Sequence, residues 1–239
     1  MTMDIDKHGS VPFEIARRLA QYQANRLAIF EWIEPGWLVG APANQPDASG
    51  ANFARLCADA VHAWLDQAGA PLPAFHAFRS DDALLGALSL DDALGALCLR
   101  ALYFRRAELR YWVDRESREK VASWLGRRGA AALRWLIGTP HAPALDRLIR
   151  DHGMSRLERL DDYALSWEGY CLFTTSGLCG AATPAGLLRF AWPRDAEAPR
   201  WLGAQDLAAH RDDSARVMRR LADFYTSGHD DPLANGSTT

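Results

Sequence analysis

A chain of 239 residues, 49% of them hydrophobic, can bury a sizeable core, so wholesale disorder is excluded and one domain, or at most two small ones, is expected. A formal net charge of −3 and a pI near 6.2 argue against a polyanion-binding surface, which takes a basic face and a pI well above neutral. No apolar run approaches the roughly 20 residues of a membrane span, so no direct membrane insertion is expected.

The opening MTMDIDKHGSVPF has no basic stretch leading into an apolar one; no signal peptide is expected, and residues 1–10 read as a flexible start. Ser10 is placed to cap a helix with Pro12 in its first turn, and PFEIARRLAQYQANRLAIFEWI keeps helical period until Pro35 and Gly36. Residues 35–50 are rich in Pro, Gly, Asn and Asp and form a loop. ANFARLCADAVHAWLDQAG is the next helix, with Phe53, Leu56, Cys57, Val61, Trp64 and Leu65 on one side, and Gly69 and Pro71 stop it. A loop to Phe78 and a short helix over 81–88 lead to Ser89 and Asp92, three apart before an apolar run, which is a capping pattern. From that cap the stripe Leu94, Leu97, Cys98, Ala101, Leu102, Leu109 and Trp112 predicts one helix running to Val113. Asp114 reads as a fresh N-cap for RESREKVASWL, which ends at Gly126, and GAAALRWLI makes a further helix closed by Gly138.

TPHAPALDRLIRDHG starts with Thr-Pro and ends in Gly153, and Ser155 with Glu158 repeats the capping pattern. Residues 160–180 fit a helix with Tyr163, Trp167, Tyr170 and Cys171 on one face, although YCLFTTSG alone also passes as a strand. GLLRFAWP has strand-like residues and stops at Pro193, residues 193–203 are loop, and AQDLAAHRDDSARVMRRLADFY is a final amphipathic helix. The fold class is therefore mainly α: one irregular multi-helix domain over residues 1–226, with at most a short strand or hairpin near 170–193, and a disordered tail over 227–239.

The chain carries no phosphate loop, no dinucleotide fingerprint after a strand, no G-x-S-x-G and no H-E-x-x-H. None of the seven histidines stands four residues from another. Cys57, Cys98, Cys171 and Cys179 are scattered without zinc spacing and read as reduced thiols in a cytosol. The acidic pairs Asp81-Asp82, Asp91-Asp92, Asp161-Asp162 and Asp212-Asp213 mostly sit where helices begin and complement the helix dipole. Adjacent residues on a helix point about 100° apart, so these pairs do not share a proton across a substrate. No catalytic residue, metal, cofactor or small-molecule ligand is expected.

Two charges stand out because they fall inside the dry stripe: Arg105 and Glu108. Their spacing lets them pair along the helix, with stems covering apolar surface and heads reaching water. The other reading is a face that meets a second protein, where arginine forks onto carboxylate and stacks on aromatics. Tyr103 and Tyr111 fall on the polar side of the same helix, with Phe104, Trp112, Trp124 and Trp135 nearby. The candidate partner-binding set is Arg105, Glu108, Arg110, Trp112, Arg115, Arg118 and Trp124.

LGALCLRALYFRRAELRYWVDRESREKVASWLGRRGAAALRWL resembles the sorting-platform accessory proteins of type III secretion systems, the SctK/YscK family, in its Hrp-like or Burkholderia-like branch. The shared features are an apolar helix with arginines near its end (Arg105, Arg110), a polar break at Val113–Asp114, and a helix from Arg118 to Leu125-Gly126. WEGYCLFTTSGLCGAATPAGLLRFAWP is similar to the family's C-terminal pattern, ending at Pro193; the likeness covers residues 85–195, and the chain after Pro193 reads as an extension. The resemblance implies a non-enzymatic cytoplasmic adaptor, held at the inner membrane through protein partners. It would link the cytosolic domain of the inner-membrane ring protein to the pod protein that carries stator and ATPase, and so support effector export. Two other classes stay open: a helix-turn-helix-like DNA-binding or regulatory module over 94–125, and an enzyme whose site is assembled by folding from single residues such as Asp151, His152 and Cys171.

Overall fold

Helices form where caps and stops place them. The structure, a computed structural model, describes residues 10–38, 51–140, 144–204 and 207–226. In order these residues form α1 (Ser10–Leu27), α2 (Ile29–Trp32), α3 (Ala51–Gln67), α4 (Ala83–Gly86), α5 (Leu90–Phe104), α6 (Arg106–Leu109), α7 (Arg115–Trp124), α8 (Gly129–Gly138), α9 (Asp146–Asp151), α10 (Asp162–Thr175) and α11 (Leu207–Thr226). Short 3₁₀ turns join several of them, and there is no strand among the described residues. The chain is mainly α, as expected. The expected flexible start, most of the 35–50 loop and the tail over 227–239 lie outside the described residues.

Ser89 caps α5 by accepting from the Asp92 N–H at 3.3 Å, and Asp114 caps α7 by accepting from the Ser117 N–H at 2.8 Å. Gly126 takes φ +66° behind α7, the left-handed turn that lets the chain reverse into α8. Four expectations are corrected. The helix that starts at Leu90 does not run to Val113; it breaks at Arg105 (φ −86°, ψ 12°) into α5 and α6. Ser155 and Glu158 do not cap a helix. Glu108 of α6 takes the Leu157 N–H at 2.6 Å, and Asp161 caps α10 instead, accepting from the Ala164 N–H at 2.8 Å. α9 begins only at Asp146, well after Thr139.

The fourth correction is GLLRFAWP, which lies in a 3₁₀ helix, Pro184–Ala191, and not in an extended segment. Side chains three apart align in that helix. Ala185 and Leu188 enter the main core while Leu187 and Phe190 enter the second core, so a period of three sorts one short segment onto two cores. A strand's period of two would have put Leu187 on the side of Arg189.

The main core surrounds α5, whose residues from Ala96 to Phe104 are all buried. α10 crosses it so closely that a Cβ on Gly169 would lie 1.8 Å from the Leu97 carbonyl oxygen; only glycine permits that approach. α7, α8 and α11 complete this core with Val121, Leu136, Val217 and Leu221. Tyr22, Ile29, Trp64, Leu65 and Phe78 form the second core with α1–α3. A third cluster, with Phe104, Leu145, Leu148 and Leu172, seats α9 against α6 and α10.

Candidate functional site

Arg105 lies under the surface: it is 0% exposed. Its Nε and Nη2 donate to the two carboxylate oxygens of Glu168 on α10, both at 2.7 Å, a forked pair. Its Nη1 donates to Glu108 at 3.0 Å and to the Ser155 carbonyl at 2.8 Å. Burial pushes the Glu168 carboxyl above its ordinary range, against the pull of Arg105. The expected Arg105–Glu108 pairing along the chain is present, but the arginine head does not reach water. It ties α6, the 155–157 turn and α10 together from inside. Tyr103, placed on the polar side by sequence, is also 0% exposed, because α5 is enclosed by neighbours all round. Its ring stacks on Trp135 at 5.1 Å, and the Arg106 guanidinium stands 4.1 Å over it. A third buried arginine, Arg100, donates to Ser214 at 2.8 Å and pins α11.

Above this clamp the chain turns outward. Tyr111 is 85% exposed and Val113 68%, both in the break between α6 and α7. Glu108, Arg110 and Trp112 line one groove of about 600 Å³ with Tyr111, Asp146 and Ile149, as do Arg156 and Glu158. A second hollow of about 440 Å³ adjoins it, sharing Tyr111, Trp112 and Glu158 and adding Asp114, Glu116 and Lys120. Trp124 packs on Trp112 with ring centroids 6.0 Å apart, and the Lys120 ammonium sits 5.1 Å from the Trp124 ring.

The structure thus brings together Glu108, Arg110, Trp112 and Trp124 of the sequence-derived set. Arg115 and Arg118 stand exposed on α7 and do not line the groove, Arg115 pairing with Glu119 at 2.7 Å. Sequence reasoning missed Glu168, although it is the one charge between Asp162 and Arg189 and so announces a buried partner. It also missed Asp146 and Ile149, which α9 brings to the groove, and Arg156 and Glu158, which the turn after α9 brings.

Cys171, one of the residues weighed for chemistry, behaves otherwise. Burial pushes the Cys171 thiol up to about 12, the opposite of what a nucleophile needs. Among the described residues no group of three or more His, Cys, Asp or Glu could hold a metal ion, and no helix is long and apolar enough to cross a membrane. α5, the first helix of a helix-turn-helix-like reading, is buried, and α7 presents Arg115, Glu116, Arg118 and Glu119 in mixed sign.

A family model described as bacterial type III secretion protein (HrpB4) matches residues 13–226. Neither a curated protein nor a solved structure matches the chain.

Proposed function

The chain belongs to the HrpB4 family of bacterial type III secretion proteins, and from that premise we propose that it is a non-enzymatic adaptor of the secretion apparatus. It bridges the cytosolic domain of the inner-membrane ring protein and the pod protein of the sorting platform, and works at the cytoplasmic face of the inner membrane through those partners. The observation that carries this reading is the surface over 108–124: exposed aromatic and charged side chains standing on a buried, forked ion pair. Such a surface suits protein association, where aromatic and arginine anchors carry most of the binding energy and a rigid base reduces the cost of ordering. The raised Cys171 thiol argues against Cys171 as a nucleophile.

The test is co-purification from secreting cells with a tagged full chain, read by mass spectrometry. Joint recovery of ring and pod components is expected. Recovery of neither, from cells whose apparatus is assembled, overturns the adaptor role.

A further inference from the structure

We propose that a hollow between α8 and the C-terminal half of α11 receives an acidic segment of a protein partner, with its carboxylates on Arg216 and Arg219 and an apolar side chain on Trp135. This rests on the adaptor reading, which makes the partner a component of the secretion apparatus, and adds a second docking face, since a bridge needs two. The hollow measures about 510 Å³ and shares no residue with the two hollows beside Tyr111 and Trp112.

The unengaged charges in this hollow have one sign. Its charged residues are Asp81, Arg216, Arg219, Arg220 and Asp223. Both carboxylates are already held, Asp223 by Arg220 at 2.9 Å and Asp81 by Arg18 at 3.7 Å. Arg216 and Arg219 are exposed and, among the described residues, make no ion pair and no side-chain hydrogen bond. Arg134, next to Trp135 on α8, is exposed and makes no ion pair among the described residues either. The other carboxylates of α11 do not answer these arginines. Asp213 is half-buried, and its charge supports the buried Arg100 and Arg106, both pulled below the usual arginine range by burial. Asp212 stands exposed beside Arg211, outside the hollow, and the two offset each other.

A guanidinium is a planar fork that takes a carboxylate through two parallel hydrogen bonds. Residues three apart on a helix are neighbours on its surface, so Arg216 and Arg219 can meet two carboxylates of one segment. The apolar contact is ordered in advance. Trp135 is half-buried, its ring stacks on Tyr103 at 5.1 Å, and the Thr139 hydroxyl donates to its carbonyl at 2.8 Å. Holding an anchor in place before association lowers the cost of binding. A nucleic acid or an anionic membrane fits less well. Such polyanions need a broad basic face, and here Asp81 and Asp223 share the hollow with the two unengaged arginines.

The experiment places a photo-crosslinking residue at Ala215, exposed on α11 one turn before Arg219, in the full chain in secreting cells. A second probe at Leu72, 55% exposed and outside the hollow, is the reference. Crosslinked peptides are sequenced by mass spectrometry. The expected product at Ala215 joins an apparatus component through a segment in which Asp or Glu flanks an apolar residue. Its yield is expected to fall about tenfold when Arg216→Glu and Arg219→Glu are introduced together, with the circular dichroism spectrum unchanged. If that spectrum changes, Arg216→Gln with Arg219→Gln is read by the same criterion. A product through a basic or uncharged segment, a product with nucleic acid or lipid, an undiminished yield, or no yield above the Leu72 reference overturns the inference while leaving the adaptor reading standing. Failure of that reading is distinct, since co-purification then recovers no component at all.

Discussion

Replacing Arg105 by methionine keeps much of the apolar stem and removes the guanidinium. Glu168, whose side chain is 8% exposed, then loses both of its 2.7 Å donors, and Glu108 loses one of its two. An unpaired carboxylate is not tolerated in that core, and its least costly escape is to take up a proton. Neutralising a carboxyl of ordinary value 4.5 at pH 7 costs about 3.4 kcal/mol, at about 1.36 kcal/mol per pH unit. That agrees with the roughly 3–5 kcal/mol seen when one partner of a buried pair is removed. The same proton fixes the sign of the pH dependence. Burial already holds Glu168 above its ordinary range while Arg105 pulls it down, so losing Arg105 raises it further. A group that binds its proton more tightly folded than unfolded loses stability as pH rises through that window. The penalty of Arg105→Met is therefore smallest below the value that Glu168 holds in the native protein, itself above the ordinary 4.5, and grows by up to about 1.4 kcal/mol per unit above it. Urea unfolding followed by tryptophan fluorescence, at about pH 5 and about pH 7, measures it. A penalty below about 1 kcal/mol at pH 7, or one that does not change with pH, refutes the buried clamp. Adding Glu168→Leu to the variant is expected to recover much of the loss, because it removes the stranded charge.

Gly169→Ala drives a methyl group into the Leu97 carbonyl, 1.8 Å away, and backbone cannot move aside as a side chain can; a loss of about 3 kcal/mol, the upper end for overpacking, is expected in the same unfolding assay. Asp114→Ala removes the acceptor of the Ser117 N–H and frays α7, which faster amide exchange at Ser117 reports while the core amides of α5 keep their protection. Cys98, Cys171 and Cys179 are buried with thiols pushed upward, so a thiol reagent is expected to modify none of these three until the chain is unfolded.

Local signals were legible in the sequence. Ser89 and Asp114 as caps and Gly126 and Gly138 as stops depend on neighbours a few residues away, and each stands where expected. What failed depended on distant chain. Tyr103 looked exposed because one helix has only one apolar stripe on paper; α5 is enclosed by α8, α10 and α11 and has no wet side at that level. Arg105 looked like a surface charge because its partner, Glu168, lies 63 residues on. Ser155 caps no helix, and its carbonyl is held by Arg105, another contact made only by folding. The candidate site was half legible for the same reason. Glu108, Arg110, Trp112 and Trp124 share one stretch of chain, whereas Asp146, Ile149 and Glu158 reach the groove through α9 and the turn after it.

Effector secretion by cells carrying Arg110→Glu with Tyr111→Glu is the most direct measurement of whether this surface joins the chain to its apparatus. Both side chains are exposed, so the spectrum and melting temperature of the purified variant are expected to match the native protein. Secreted effector is expected to fall by about tenfold or more, as loss of an anchoring contact at an interface produces. Native levels of secretion from a stably folded variant contradict docking through this face.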